Sequence, residues 1–349
     1  MYGRATGHIK KVMKIKGINK LILVVALLCC EATPVLAQQN IQFTQYIFNS
    51  LSVNPAYAGY KEEWFAQMAL RSQWTGIQGA PKTGQISIDG VLDPYTKRMG
   101  LGLQITADKL GPQSANAAYL NYAYRIRLDD EDTKRLSFGI GVGLTQYGLD
   151  GSLLNPVDDG DQSLPIGKIS NIVPDARFGV YYSSPKFYIG ASVMDLFSRS
   201  YDNAIFRWSD GTNENIRRQR HFYLITGMLV DLNDDTKLRP SIMVKEDFKG
   251  PTSLDVGAMV IFGGKVWLGG AYRTGVKTWN KKYAEGQDLS QLNSISGIAQ
   301  FYVDKRFRIG YSYDYALSKF GSISNGTHEI TLGLTFPRKD IRLLSPRFF

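Results

Sequence analysis

The sequence predicts an all-β fold: a transmembrane antiparallel β-barrel of about 14 strands, with short periplasmic turns and long external loops. Three observations carry this expectation. First, apolar and polar residues alternate over runs of about ten. In 98–108, Met99, Leu101, Leu103, Ile105 and Ala107 share one face, and Gly100, Gly102, Gln104, Thr106 and Asp108 share the other. Successive side chains of a strand point to opposite faces, so such a run has one oily and one wet side. Second, the connections between runs are alternately short and long. Third, the chain holds 35 Gly, 20 Tyr and 17 Phe, a composition that suits a barrel with aromatic girdles. A soluble sandwich also alternates, but its strands are shorter and its loop lengths need no sidedness.

Residues 1–37 read as a signal peptide. Lys10, Lys11, Lys14, Lys16 and Lys20 form a basic region ahead of the apolar run 21–28, and Val35-Leu36-Ala37 supplies a small-residue cleavage site. Met13 is an alternative start. The apolar run is too short to span a membrane as a helix. Both cysteines, Cys29 and Cys30, lie in this leader, so the expected mature chain has neither disulfides nor a thiolate nucleophile. Removing the leader lowers the net charge from +10 to +5, which does not point to nucleic acid.

The strands are expected, in order, at 64–74, 83–91, 98–108, 115–128, 136–149, 175–183, 187–194, 220–232, 236–246, 252–262, 266–273, 294–303, 307–315 and 328–336. Phe138, Ile140, Val142 and Leu144 make one outward face, and Gly139, Gly141, Gly143 and Thr145 the wet face behind it. Even-numbered connections are short polar turns such as Ser184-Pro185-Lys186 and Asp304-Lys305-Arg306. The long ones, about 150–174, 195–219, 274–293 and 316–327, are all odd-numbered. Outer-membrane barrels have short periplasmic turns and longer external loops. An even strand number therefore sets both flanking segments, 38–63 and 337–349, on the periplasmic side, the first under or inside the barrel mouth as a plug.

The first flank carries distinctive wording. Gln42-Phe43-Thr44-Gln45-Tyr46 leads to Phe48-Asn49 and then to Asn54-Pro55-Ala56-Tyr57-Ala58-Gly59. Arg71-Ser72-Gln73-Trp74-Thr75-Gly76-Ile77 and Gly79-Ala80-Pro81 follow, and the chain closes on Ser345-Pro346-Arg347-Phe348-Phe349. These stretches resemble the PorP/SprF family of type IX secretion outer-membrane proteins of Bacteroidetes. The resemblance implies a barrel without enzymatic activity or cofactor that helps export a secreted surface protein or gliding adhesin, or anchors it at the surface. It also implies contact with periplasmic lipoprotein or peptidoglycan-binding components of the machine.

Partner-binding candidates are accordingly Asn54, Pro55, Tyr57, Gly59, Arg71, Trp74, Arg347, Phe348 and Phe349. Asn54-Pro55 favours a turn, and Gly59 permits a backbone angle closed to most residues. Arg71 is expected to pair inside the lumen, and Trp74 to join a girdle at the outer end of strand one. The charges of both signs on the wet faces read as lumen cross-links rather than a selectivity ring. Gly139-x-Gly141-x-Gly143 sits within a strand and is not a phosphate loop. The acidic run Asp158-Asp159-Gly160-Asp161 lacks full calcium-ligand spacing. The mature chain's two histidines, His221 and His328, form no metal motif and no catalytic triad with a serine and an aspartate. The rival reading is a transport barrel, either a hydrophobic-molecule uptake channel or a porin.

Overall fold

A computed structural model of the chain describes residues 42–154, 167–199, 219–248, 250–278, 293–318 and 320–337. The expected signal peptide, the acidic run and the tail from 338 onward lie outside the described residues. The strands are β1 (Trp64–Ser72), β2 (Lys82–Val91), β3 (Met99–Leu110), β4 (Gln113–Arg127), β5 (Arg135–Asp150), β6 (Lys168–Ser183) and β7 (Phe187–Met194). Then come β8 (His221–Met228), β9 (Thr236–Glu246), β10 (Thr252–Phe262), β11 (Val266–Val276), β12 (Ser294–Tyr302), β13 (Phe307–Ala316) and β14 (Thr327–Phe336). After Leu229, a short piece at Val230–Asp231 continues the pairing of β8 with β9.

Each strand pairs antiparallel with its chain neighbours, and β1 pairs with β14, Trp64 opposite Phe336 and Ser72 opposite His328. The sheet therefore closes as a 14-strand barrel. Lipid offers no partners for backbone polar groups, so a sheet can span it only by closing on itself. Side chains alternate as expected. Ile140, Val142 and Leu144 of β5 are each more than half exposed on the outer wall, while Ser137 and Thr145 point inward and are buried. Among the described residues, no helix is long and apolar enough to cross a membrane.

The strand ends that flank the longest connections, 151–167, 195–220, 277–293 and 317–326, all lie at one end, the external one. The opposite, periplasmic end carries polar turns such as 303–306, where Asp304 accepts the N–H groups of Arg306 and Phe307. These bonds hold its carboxyl below the ordinary 3.8.

Two expectations need correction. The strand placed at 175–183 begins at Lys168, because β5 and β6 rise together as a tall hairpin with Asp150 opposite Lys168. Pro174 is tolerated there because β6 pairs with β7 only from Phe178 onward, so its missing N–H faces no ladder. The wet faces are also not polar throughout. From mid-wall to the periplasmic end, inward positions include Tyr181, Tyr188, Ile225, Met243, Met259, Ile261 and Trp267, all buried.

Candidate functional site

What buries those apolar side chains is the segment 42–63, which fills the lumen. It is a series of tight turns, with 3-10 turns at Tyr46–Phe48, Ser50–Ser52 and Pro55–Tyr57. A proline at the first position after Asn54 starts the last turn, and Asn54 caps it by accepting the Ala56 N–H at 2.9 Å. The same side chain donates to the carbonyls of Val180 on β6 and Ala191 on β7, at 3.0 and 3.3 Å. Asn54 thus shapes the turn and fastens it to the wall.

The turn lies on bare backbone. A Cβ at Gly139 would stand 2.2 Å from the Ala56 nitrogen, one at Gly100 2.0 Å from the Ala58 carbonyl oxygen, and one at Gly179 2.1 Å from Asn54 Oδ1. Two strands therefore present glycine where the plug's backbone touches them, and a third presents it to the Asn54 side chain. Gly59 adopts φ +74° and donates its N–H to Asp89 Oδ2 at 2.9 Å. Tyr57 stacks on Tyr60 at 5.1 Å and meets Tyr181 edge-on at 5.6 Å. Ser192 on β7 donates to the Val53 carbonyl.

The plug leaves the lumen at the periplasmic end through Glu62. This buried carboxylate lies 2.8 Å from Lys97 Nζ, 3.6 Å from Arg125 and 3.9 Å from Arg135. Higher up, Phe48 packs on Trp267 at 5.3 Å, with the Arg239 and Arg308 guanidinium groups 5.4 and 5.1 Å from its ring centre. Flat, weakly hydrated guanidinium groups stack on aromatic faces, which makes these arginines suitable walls for a buried ring.

Toward the external end the contacts become ionic. Arg71 forms ion pairs with Asp314 at 2.8 Å and Glu329 at 2.9 Å, and donates to Thr44 Oγ1 at 2.9 Å. Glu329 in turn accepts the Thr44 and Gln45 N–H groups at 2.9 and 3.0 Å. Gln42 donates to Asp255 Oδ2 at 2.8 Å, and Asp255 pairs with Arg273 at 2.6 Å.

Asn54, Pro55, Tyr57 and Gly59 thus lie together in one turn of the plug, and Arg71 meets the plug at another level, at Thr44. Trp74 is not among them. β1 ends at Ser72, and Trp74 lies beyond it in the 73–81 loop at φ +44°, half-buried, with its N–H on Thr327 Oγ1. Arg347, Phe348 and Phe349 lie outside the described residues. The segment 38–63, expected as a periplasmic or plug segment, is described from Gln42 onward and runs through the lumen. Only its Glu62 end is periplasmic, whereas Gln42 stands among Asp255 and Arg273 in the external half. Sequence reasoning missed Glu62 and its three cations, although the acidic pair Glu62-Glu63 just ahead of β1 was a readable signal. Among the described residues, no group of three or more His, Cys, Asp or Glu could hold a metal ion. The arrangement is a packed, cross-linked plug.

The model of a protein family described as "Type IX secretion system membrane protein PorP/SprF" matches residues 35–334. Comparison with curated proteins gave no match. Among solved structures, the CymD monoaromatic hydrocarbon channel is 10% identical, covering 83% of this chain and 93% of its own, with a TM-score of 0.50. The P. putida toluene transporter TodX is 10% identical, covering 83% and 94%, with a TM-score of 0.48. Acinetobacter baumannii Omp33 is 7% identical, covering 80% and 100%, with a TM-score of 0.42. At these identities the likeness concerns the barrel fold alone.

Proposed function

The chain belongs to the PorP/SprF family of type IX secretion system membrane proteins, and on that premise we propose that it is a non-enzymatic outer-membrane component of the secretion and gliding machinery of Bacteroidetes. It assists export or surface anchoring of a secreted protein through its external loops. It meets periplasmic lipoprotein or peptidoglycan-binding components through its periplasmic end and tail. The observation that carries this reading is the family match over residues 35–334. The filled lumen supports it, since a segment fastened at several levels favours an anchoring body over an open pore. The apolar tail residues Ile341, Leu343, Leu344, Phe348 and Phe349 suit docking rather than solvation.

The test is co-purification. Deleting 337–349 should leave an inserted, heat-modifiable barrel that loses its periplasmic partners, and undiminished capture of those partners would overturn the assignment. The rival reading, a gated uptake barrel or porin, is supported by the plug's position inside the lumen. Planar-bilayer recordings separate the two, because a transport barrel conducts or passes hydrophobic solutes when intact and an anchoring component does not.

A further inference from the structure

On the outer wall, at the external ends of β14, β1, β2 and β3, lies an open groove of about 680 Å³. Leu70, Gly84, Ala107 and Ile330 form its floor, and Lys82 and Lys109 stand at its rim. Gly84 and Ala107 make the depression, and Leu70 leans across it, its Cδ2 3.5 Å from where a Gly84 Cβ would sit. The next outward residues toward the membrane centre, Ile86 and Ile105, are more than half exposed and belong to the lipid-facing band. The lysines therefore cap that band at headgroup height.

The lysines' placement is the telling observation. Lys82 and Lys109 are register partners on adjacent antiparallel strands, both outward and exposed. Directly opposed residues have Cβ atoms about 5 Å apart, and like charges so placed destabilise a sheet. Among the described residues, neither lysine forms an ion pair. Ser72 opposes Lys82 and Ser114 opposes Lys109, so the row extends with hydroxyl donors rather than acids. Two cations held together over an apolar trough match an anion with a hydrocarbon tail. A phosphate bridging the ammonium groups would neutralise their repulsion, and an acyl chain would fill the trough.

We propose that this groove binds a phosphorylated acyl glycolipid of the external leaflet, its phosphate held between Lys82 and Lys109 and one acyl chain laid over Gly84 and Ala107. The inference does not rest on the secretion reading, only on the barrel's place in the outer membrane.

The experiment uses the full-length barrel in detergent and measures lipid retention by native mass spectrometry. The probes are bisphosphorylated lipid A, the same lipid after enzymatic dephosphorylation, and inorganic phosphate as competitor. The wild-type barrel should retain the phosphorylated lipid at least tenfold better than the dephosphorylated one. The double variant Lys82→Gln, Lys109→Gln should lose that preference. Gly84→Leu with Ala107→Leu, which fills the trough and leaves both lysines, should also release the lipid. Equal retention of the two lipids, or retention unchanged by the lysine variant, overturns the proposal. Displacement by millimolar inorganic phosphate overturns the lipid assignment in favour of a plain anion site. Should the filled variant fail to insert, the exposed lysine pair still decides the matter.

Discussion

Around Thr44 and Gln45 the plug is held by charge, and around Pro55–Tyr57 chiefly by shape. Around Thr44 and Gln45, the wall offers Arg71, Asp314 and Glu329, side chains whose exposure is 5% or less. Around Pro55–Tyr57 it offers glycine, tyrosine and two carbonyl acceptors for Asn54. A buried ion network fails badly when one member is removed, because it leaves uncompensated charge. A backbone-on-backbone contact fails when a methyl group is added, because nothing flexible can move aside. One segment thus has two kinds of vulnerability, separable by mutation.

The largest effect is expected from Arg71→Ala. It strands Asp314 and Glu329 together in a dry site, a loss on the order of 3–5 kcal/mol from plug seating. Tryptic cleavage at Lys61 in the otherwise intact barrel is the readout, and protection equal to wild type would refute the ionic anchor. Next comes Gly139→Val, whose Cβ would fall 2.2 Å from the Ala56 nitrogen. Overpacking of this kind costs about 1–3 kcal/mol, and Gly139→Ala should already raise Lys61 cleavage. By contrast, Gly297→Ala on β12 meets nothing within 4 Å and should leave the barrel unchanged. Asn54→Ala removes a cap and two wall contacts, for which about 0.5–2 kcal/mol is expected from the cap alone. Hydrogen exchange of the Ala56 and Tyr57 amides should report it.

The smallest effect distinguishes the periplasmic turns from both plug anchors. Asp304 titrates below its ordinary 3.8 because two backbone N–H groups donate to it. A depressed carboxyl contributes stability that is present above its unfolded value and lost as pH falls through the lower folded value. Acidification below 3.8 should therefore loosen the 303–306 turn slightly, as read from amide exchange at Phe307, and Asp304→Asn should abolish that pH dependence.

The barrel was largely legible because a two-sided environment writes itself into a period of two. Strands at 187–194, 236–246 and 252–262 were expected at the bounds found. The start of β6 was not, since Ser170, Asn171 and Pro174 read as loop until β5 is seen to rise beside them. The apolar inward faces of β8 to β11 were hidden for a different reason. Ile225, Met243 and Trp267 face a plug rather than water, and only the distant segment 42–63 explains them. The same separation concealed the Arg71 network. Thr44 and Glu329 are 285 residues apart, and no local pattern links them. The NPAYAG stretch was legible as a turn, but what it turns against was not.

Arg71 and Glu329 are also cross-strand partners in the pairing that joins the first strand to the last. The residue that receives the plug's Thr44 and Gln45 amides therefore arrives with the final strand to be synthesised. Seam and seat thus share one carboxylate, and a change at Glu329 strips the closing strand pair of its ionic partner and two plug amides of their acceptor in a single stroke.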